Sequence, residues 1–74
     1  MPKIPRITAT RFIKIISSLG FSESRQEGSH KIFKNHHGVR VTVPCHGSRT
    51  LHPKIIKTFL IDARITLEEF IKRP

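Results

Sequence analysis

Val39-Arg40-Val41-Thr42-Val43-Pro44 is the stretch that decides the fold. Three valines alternate with Arg40 and Thr42, the two-residue period that sends successive side chains to opposite faces of a sheet. Valine, branched at Cβ, suits such a pleated, half-buried surface. Pro44 has no N–H to donate and ends the strand. Working back from it, His36-His37-Gly38 reads as a turn and residues 30–35 as a second strand. Glu27-Gly28-Ser29 reads as an earlier turn, and Phe21 to Gln26 as a first strand. The result is a three-stranded antiparallel meander.

On either side the period changes to that of a helix. Phe12, Ile13, Ile16 and Leu19 share one apolar face, with Thr8 or Thr10 as the N-terminal cap and Gly20 as the residue beyond the last turn. Downstream, Pro53 fits the first turn of a second helix whose apolar face is Ile55, Ile56, Phe59, Leu60 and Ala63. Lys54 and Lys57 fall near its opposite edge. Thr66-Leu67-Glu68-Glu69 matches a capping box and opens a short last helix ending near Lys72. The expectation is an α+β domain in the order α-β-β-β-α, with helices covering one face of the sheet. Residues 1–74 make a single domain, with 1–7 as an extended lead-in and 66–73 as the C-terminal helix. No internal repeat, low-complexity tract or linker interrupts it.

Seventy-four residues suffice for one small core and leave no room for a deep pocket or a large cofactor. The formal charge is +9. It is concentrated upstream: Glu23 and Glu27 are the only acids before Asp62, whereas Arg64, Lys72 and Arg73 balance Asp62, Glu68 and Glu69 beyond it. Solubilising charge normally mixes its signs, so this imbalance points to a polyanionic partner, nucleic acid above all. The single cysteine, Cys45, excludes an internal disulfide. No apolar run approaches the ~20 residues of a membrane span. The N-terminus lacks the apolar stretch of a signal peptide. A cytoplasmic location is the default expectation.

Within this basic chain, Gly28-Ser29-His30-Lys31-Ile32-Phe33 presents a histidine from a Gly-Ser turn. Binding RNA needs only Lys and Arg; a histidine adds a group that takes and gives a proton near neutral pH. The order α-β-β-β-α, the segment Gly28-Ser29-His30-x-Ile32-Phe33, Leu19-Gly20-Phe21 at the end of the first helix, and Val41-Thr42-Val43-Pro44-Cys45-His46 together resemble the HicA family of toxin mRNA interferases. The similarity runs from about Thr8 to Thr66. It implies a double-stranded-RNA-binding-domain-like fold, ribonuclease activity toward mRNA that depends on His30, and a HicB-type antitoxin partner covering the active surface. One segment departs from it: many members carry Gly-Thr-Leu entering the second helix, where this chain has Leu51-His52-Pro53.

RNA carries its own nucleophile, the 2′-hydroxyl beside the scissile phosphate. An enzyme must remove that proton, neutralise the charge gathering on phosphorus and protonate the 5′-oxygen. A histidine suits either proton transfer, so His30 is the candidate catalytic residue, as base or as acid. Arg25, Lys31, Lys34 and Arg40 are candidates for holding the phosphate, with Ser29 and Lys54 as further RNA-binding candidates. His46 and His52 are candidate partners for the second proton transfer. No metal or cofactor is expected, because Cys45-His46 and His36-His37 lack the Cys-x-x-Cys or His-x₃-His spacing of a zinc site. Cys45 is no nucleophile on the strength of an adjacent His46, since neighbours along a strand point to opposite faces.

Strict alternation sets His30 on the same side as Ile32, and Lys31 on the same side as Phe33, an awkward neighbour for a catalytic group if Ile32 is core. Phe12, Phe21, Phe33, Phe59 and Phe70 could stack on bases, but four of them lie on expected apolar faces or element ends, where core packing is the stronger assignment. A non-catalytic RNA-binding module on the same fold is the alternative reading, and a basic surface that docks an acidic protein is a third.

Overall fold

The computed structural model describes residues 4–45 and 50–73. Six elements follow in the order α1 (Ala9–Ser18), β1 (Ser22–Glu27), β2 (His30–Lys34), β3 (Arg40–Pro44), α2 (Pro53–Ala63) and α3 (Leu67–Lys72). The expected α-β-β-β-α order is therefore present, and the chain is an α+β fold with one three-stranded antiparallel sheet in the order β1-β2-β3.

Local chemistry sets each boundary. Thr8 caps α1 by accepting the Arg11 N–H through Oγ1 at 3.2 Å. At its other end the Phe21 N–H donates to the Ile16 carbonyl and the Gly20 N–H to Ser17, with Gly20 in the left-handed region at φ +97°. Buried along α1 are Ala9, Phe12, Ile15 and Ile16. Ile13 and Leu19 are only half-buried, so the face is rotated from the expected one toward Ile15. The β1–β2 connection is two residues long, with Gly28 at φ +59° as the first, the position where a II′ hairpin turn requires glycine. In the β2–β3 turn, Asn35 Oδ1 accepts from the N–H of His37 and of Val39. His52 caps α2 with Pro53 behind it, and Thr66 Oγ1 accepts the Glu69 N–H to open α3.

Phe33, Val41 and Val43 project from one sheet face into a core shared with Phe12, Ile15 and Ile16 of α1, Ile56 and Phe59 of α2, and Phe70 of α3. Phe59 sits among three other rings, with centroids 5.3 Å from Phe12, 5.2 Å from Phe21 and 6.1 Å from Phe70. All five phenylalanines are buried. The lead-in joins the fold through long-range contacts: the Leu51 N–H donates to the Ile7 carbonyl, Thr8 pairs with Thr50, and Ile4 and Ile7 pack on the core. No helix among the described residues is long and apolar enough to cross a membrane.

α2 ends like α1, with the Ile65 N–H on the Leu60 carbonyl and the Arg64 N–H on Ile61. Here, however, the left-handed position holds an arginine, Arg64 at φ +55°. A side chain at that φ costs about 1–2 kcal/mol that glycine avoids. Arg64→Gly is therefore expected to stabilise the fold by roughly 0.5–1 kcal/mol, net of glycine's larger unfolded-state entropy. Thermal denaturation should show Tm rising by a few degrees. An unchanged or lowered Tm would mean that Arg64 makes compensating contacts.

Candidate nucleic-acid interface

Register sorts the sheet's side chains. Phe33 pairs with Val41 and Lys31 with Val43, so Lys31, Phe33, Val41 and Val43 lie on the helix-covered face. His30 pairs with Pro44, Ile32 with Thr42 and Lys34 with Arg40, all on the other face. From β1, Arg25 lies opposite Ile32 and Glu27 opposite His30. A register shift between Glu23 and Arg25 marks a bulge that places Arg25 on this open face.

The awkward neighbour is thereby explained. Ile32 is 7% exposed, yet it lies outside the cluster that joins sheet to helices. It is an apolar centre on the open face, flanked in register by Arg25 and Thr42. His30 therefore keeps Ile32 beside it without facing the core, and it is itself exposed at the first position of β2.

The open face gathers Arg25, His30, Lys34 and Arg40, with Ser29 in the adjoining turn. Lys34 and Arg40 stand directly opposite one another. Like charges so placed destabilise a sheet, and an anion bridging them reverses the sign. Four residue steps separate His30 from Lys34, about 13 Å along β2. Arg25 is already paired with Glu27, Nη2 to Oε1 at 3.0 Å, with both side chains largely exposed. Such an exposed pair is worth little and yields easily to a phosphate.

Two expected residues lie elsewhere. Lys31 is on the helix-side face, half-buried, its Nζ 3.9 Å from Glu23. Lys54 is on α2, beside a groove of about 470 Å³ that also borders Arg40, Thr42, His52, Thr58 and Asp62. His52 Nδ1 accepts the Lys54 N–H at 3.0 Å and is taken up by that cap. His36 and His37 lie with ring centroids 4.0 Å apart and planes tilted by 41° in the β2–β3 turn, at the far end of β2 from His30. His46 lies outside the described residues. Among the described residues no three His, Cys, Asp or Glu side chains cluster as a metal site would require.

Sequence reasoning missed Glu27. The available signal was the two-residue turn itself: Gly28-Ser29 makes residues 27 and 30 a cross-strand pair, their Cβ atoms about 5 Å apart. The carboxylate in register with His30 is thus the residue immediately before the motif that singled His30 out.

No curated protein matches this sequence. A family model described as the HicA toxin of bacterial toxin–antitoxin matches residues 9–65. That span begins with the first residue of α1 and ends one residue past the left-handed Arg64 that terminates α2, taking in the whole sheet and both faces described above. The chain belongs to the HicA toxin family.

Proposed function

We propose that this toxin is an endoribonuclease that cleaves mRNA without a metal, using His30 for proton transfer, and that a HicB-type antitoxin silences it by covering the open sheet face. The observation that carries the reading is the placement of an exposed histidine on the same face as Arg25, Lys34 and Arg40. A phosphodiester lying across β2 meets cations on all three strands.

The chemistry needs nothing the RNA and these side chains lack. A base takes the 2′-hydroxyl proton, the 2′-oxygen attacks phosphorus, the bond from phosphorus to the 5′-oxygen breaks, and that oxygen leaves with a proton from an acid. The products are a 2′,3′-cyclic phosphate and a 5′-hydroxyl. His30 serves as one of the two proton carriers and Glu27, its cross-strand partner, as the other once a phosphate has drawn Arg25 away from it; the register of the pair supports this reading. Arg25, two ladder positions from His30, supplies positive charge where the phosphorane accumulates negative charge, and Lys34 and Arg40, about 13 Å along β2, hold a neighbouring phosphate of the same strand. The buried phenylalanines supply no stacking platform, so recognition rests on the backbone and on polar contacts.

The test is incubation of the purified chain, in chelator, with end-labelled single-stranded RNA. Wild type is expected to release cyclic-phosphate ends, and His30→Ala to lose on the order of 10²–10⁴ in rate while still retaining RNA. RNA bound but uncut by both proteins would instead identify a non-catalytic binding module.

The like-charge pair gives a separate prediction. Arg40→Gln removes the repulsion from Lys34, so it is expected to leave Tm unchanged or slightly raised while weakening RNA binding. In a salt titration the slope of log K against log salt should fall by about one. A fall in Tm with undiminished affinity would show that Arg40 is structural rather than a phosphate ligand.

A further inference from the structure

β3 is the outer strand of the sheet beside α2, and its far edge has no strand partner among the described residues. The ladder shows which backbone groups that edge offers. The Asn35 N–H donates to the Val39 carbonyl at 3.1 Å, and the Cys45 N–H donates to the Ser29 carbonyl at 2.7 Å. Hydrogen-bonded pairs recur every second residue in an antiparallel ladder, so Phe33–Val41 and Lys31–Val43 are the bonded pairs between these ends. Arg40 and Thr42 belong to the alternate pairs, whose N–H and C=O groups point away from β2. Pro44, with no N–H, closes the row.

Those outward groups border the groove of about 470 Å³ between β3 and α2. Arg40, Val41 and Thr42 line it consecutively, as only a strand's edge can, because their side chains alternate between faces. The opposite wall is α2, through His52, Lys54, Ile55, Thr58, Phe59 and Asp62. The floor is apolar, and the charged lining is two cations, Arg40 and Lys54, against one acid, Asp62; neither cation has a salt-bridge partner among the described residues, so the balance is positive.

The geometry points to this groove as the docking site for an extended acidic segment of a protein partner, which adds to β3 as a fourth strand. Three features select peptide over RNA. The outward N–H and C=O groups of Arg40 and Thr42 recur at strand spacing, a row that an extended peptide backbone meets with donors and acceptors in register and that RNA, with its 2′-hydroxyls and base edges spaced differently, does not. Phe59 is buried and presents no face to a base. An apolar floor suits the alternate side chains of a strand, with the carboxylates between them reaching Arg40 and Lys54. The site is separate from proton transfer at His30 and stands or falls without it.

The test uses the full chain and a synthetic peptide of alternating Val and Glu. Two control peptides carry Lys for Glu or N-methyl groups on alternate amides. Amide hydrogen exchange and a binding isotherm are read for each. The expected result is protection of the Arg40 and Thr42 amides by the Val-Glu peptide. The N-methylated peptide should bind about tenfold more weakly or worse, for two lost hydrogen bonds of roughly 0.5–1.5 kcal/mol each. The Lys peptide should not bind. Thr58→Trp, which fills the groove from an exposed helix position, should abolish binding while leaving RNA cleavage intact. The inference is overturned if the Val-Glu peptide fails to bind, if N-methylation leaves affinity unchanged, or if Thr58→Trp weakens the binding of single-stranded RNA and leaves that of the peptide unchanged.

Discussion

Phe59 is the contact on which the rest of the molecule depends. Its ring meets Phe12 of α1, Phe70 of α3 and Phe21 at the entrance to β1, so one side chain ties the helices to one side of the sheet. Emptying such a site in a fold of this size would remove about 3–5 kcal/mol, a large share of the total stability of a small domain. The sheet's second face does not share in this core. The described core holds no polar or charged side chain, so all the chain's described titratable chemistry is left for the surface.

That segregation is also what makes function available. Because helices cover only the Phe33–Val41–Val43 face, the other face is free to carry Arg25, His30, Lys34 and Arg40. The excess positive charge has a structural expression in the opposed Lys34 and Arg40. Their juxtaposition weakens the sheet and favours an anion, the kind of local conflict that marks working surfaces. The edge of β3 forms a second kind of surface, made of backbone rather than charge. An antitoxin that meets both the face and the edge would combine electrostatic steering with the directional bonds of strand addition.

Much of this was legible in the sequence because it is local. The valine alternation, the caps at Thr8 and Thr66, Pro53 at the start of α2 and Gly20 past the end of α1 each follow from the chemistry of one residue and its near neighbours. What escaped is what depends on partners distant in sequence or on an unfavourable choice. Arg64 ends α2 in a conformation that sequence reasoning reserves for glycine. Ile15 replaces Ile13 on the buried side of α1 because sheet and helices, not spacing alone, choose the face. Ile7 and Thr8 reach Leu51 and Thr50 across some forty residues. Alternation correctly separated His30 from Lys31. It did not reveal that the His30 side, Ile32 included, is the open one, since that depends on where the helices pack.

Which side of the molecule meets RNA, the open sheet face as proposed or the helical side, can be read directly. The direct measurement is a residue-resolved NMR titration of the full chain with a single-stranded RNA made uncleavable by 2′-O-methyl groups. Shifts are expected to concentrate at Arg25, Ser29, His30, Ile32, Lys34, Arg40 and Thr42, with α1 and α3 unmoved. Shifts confined to the exposed residues of α1 or α3, with His30 silent, would contradict it.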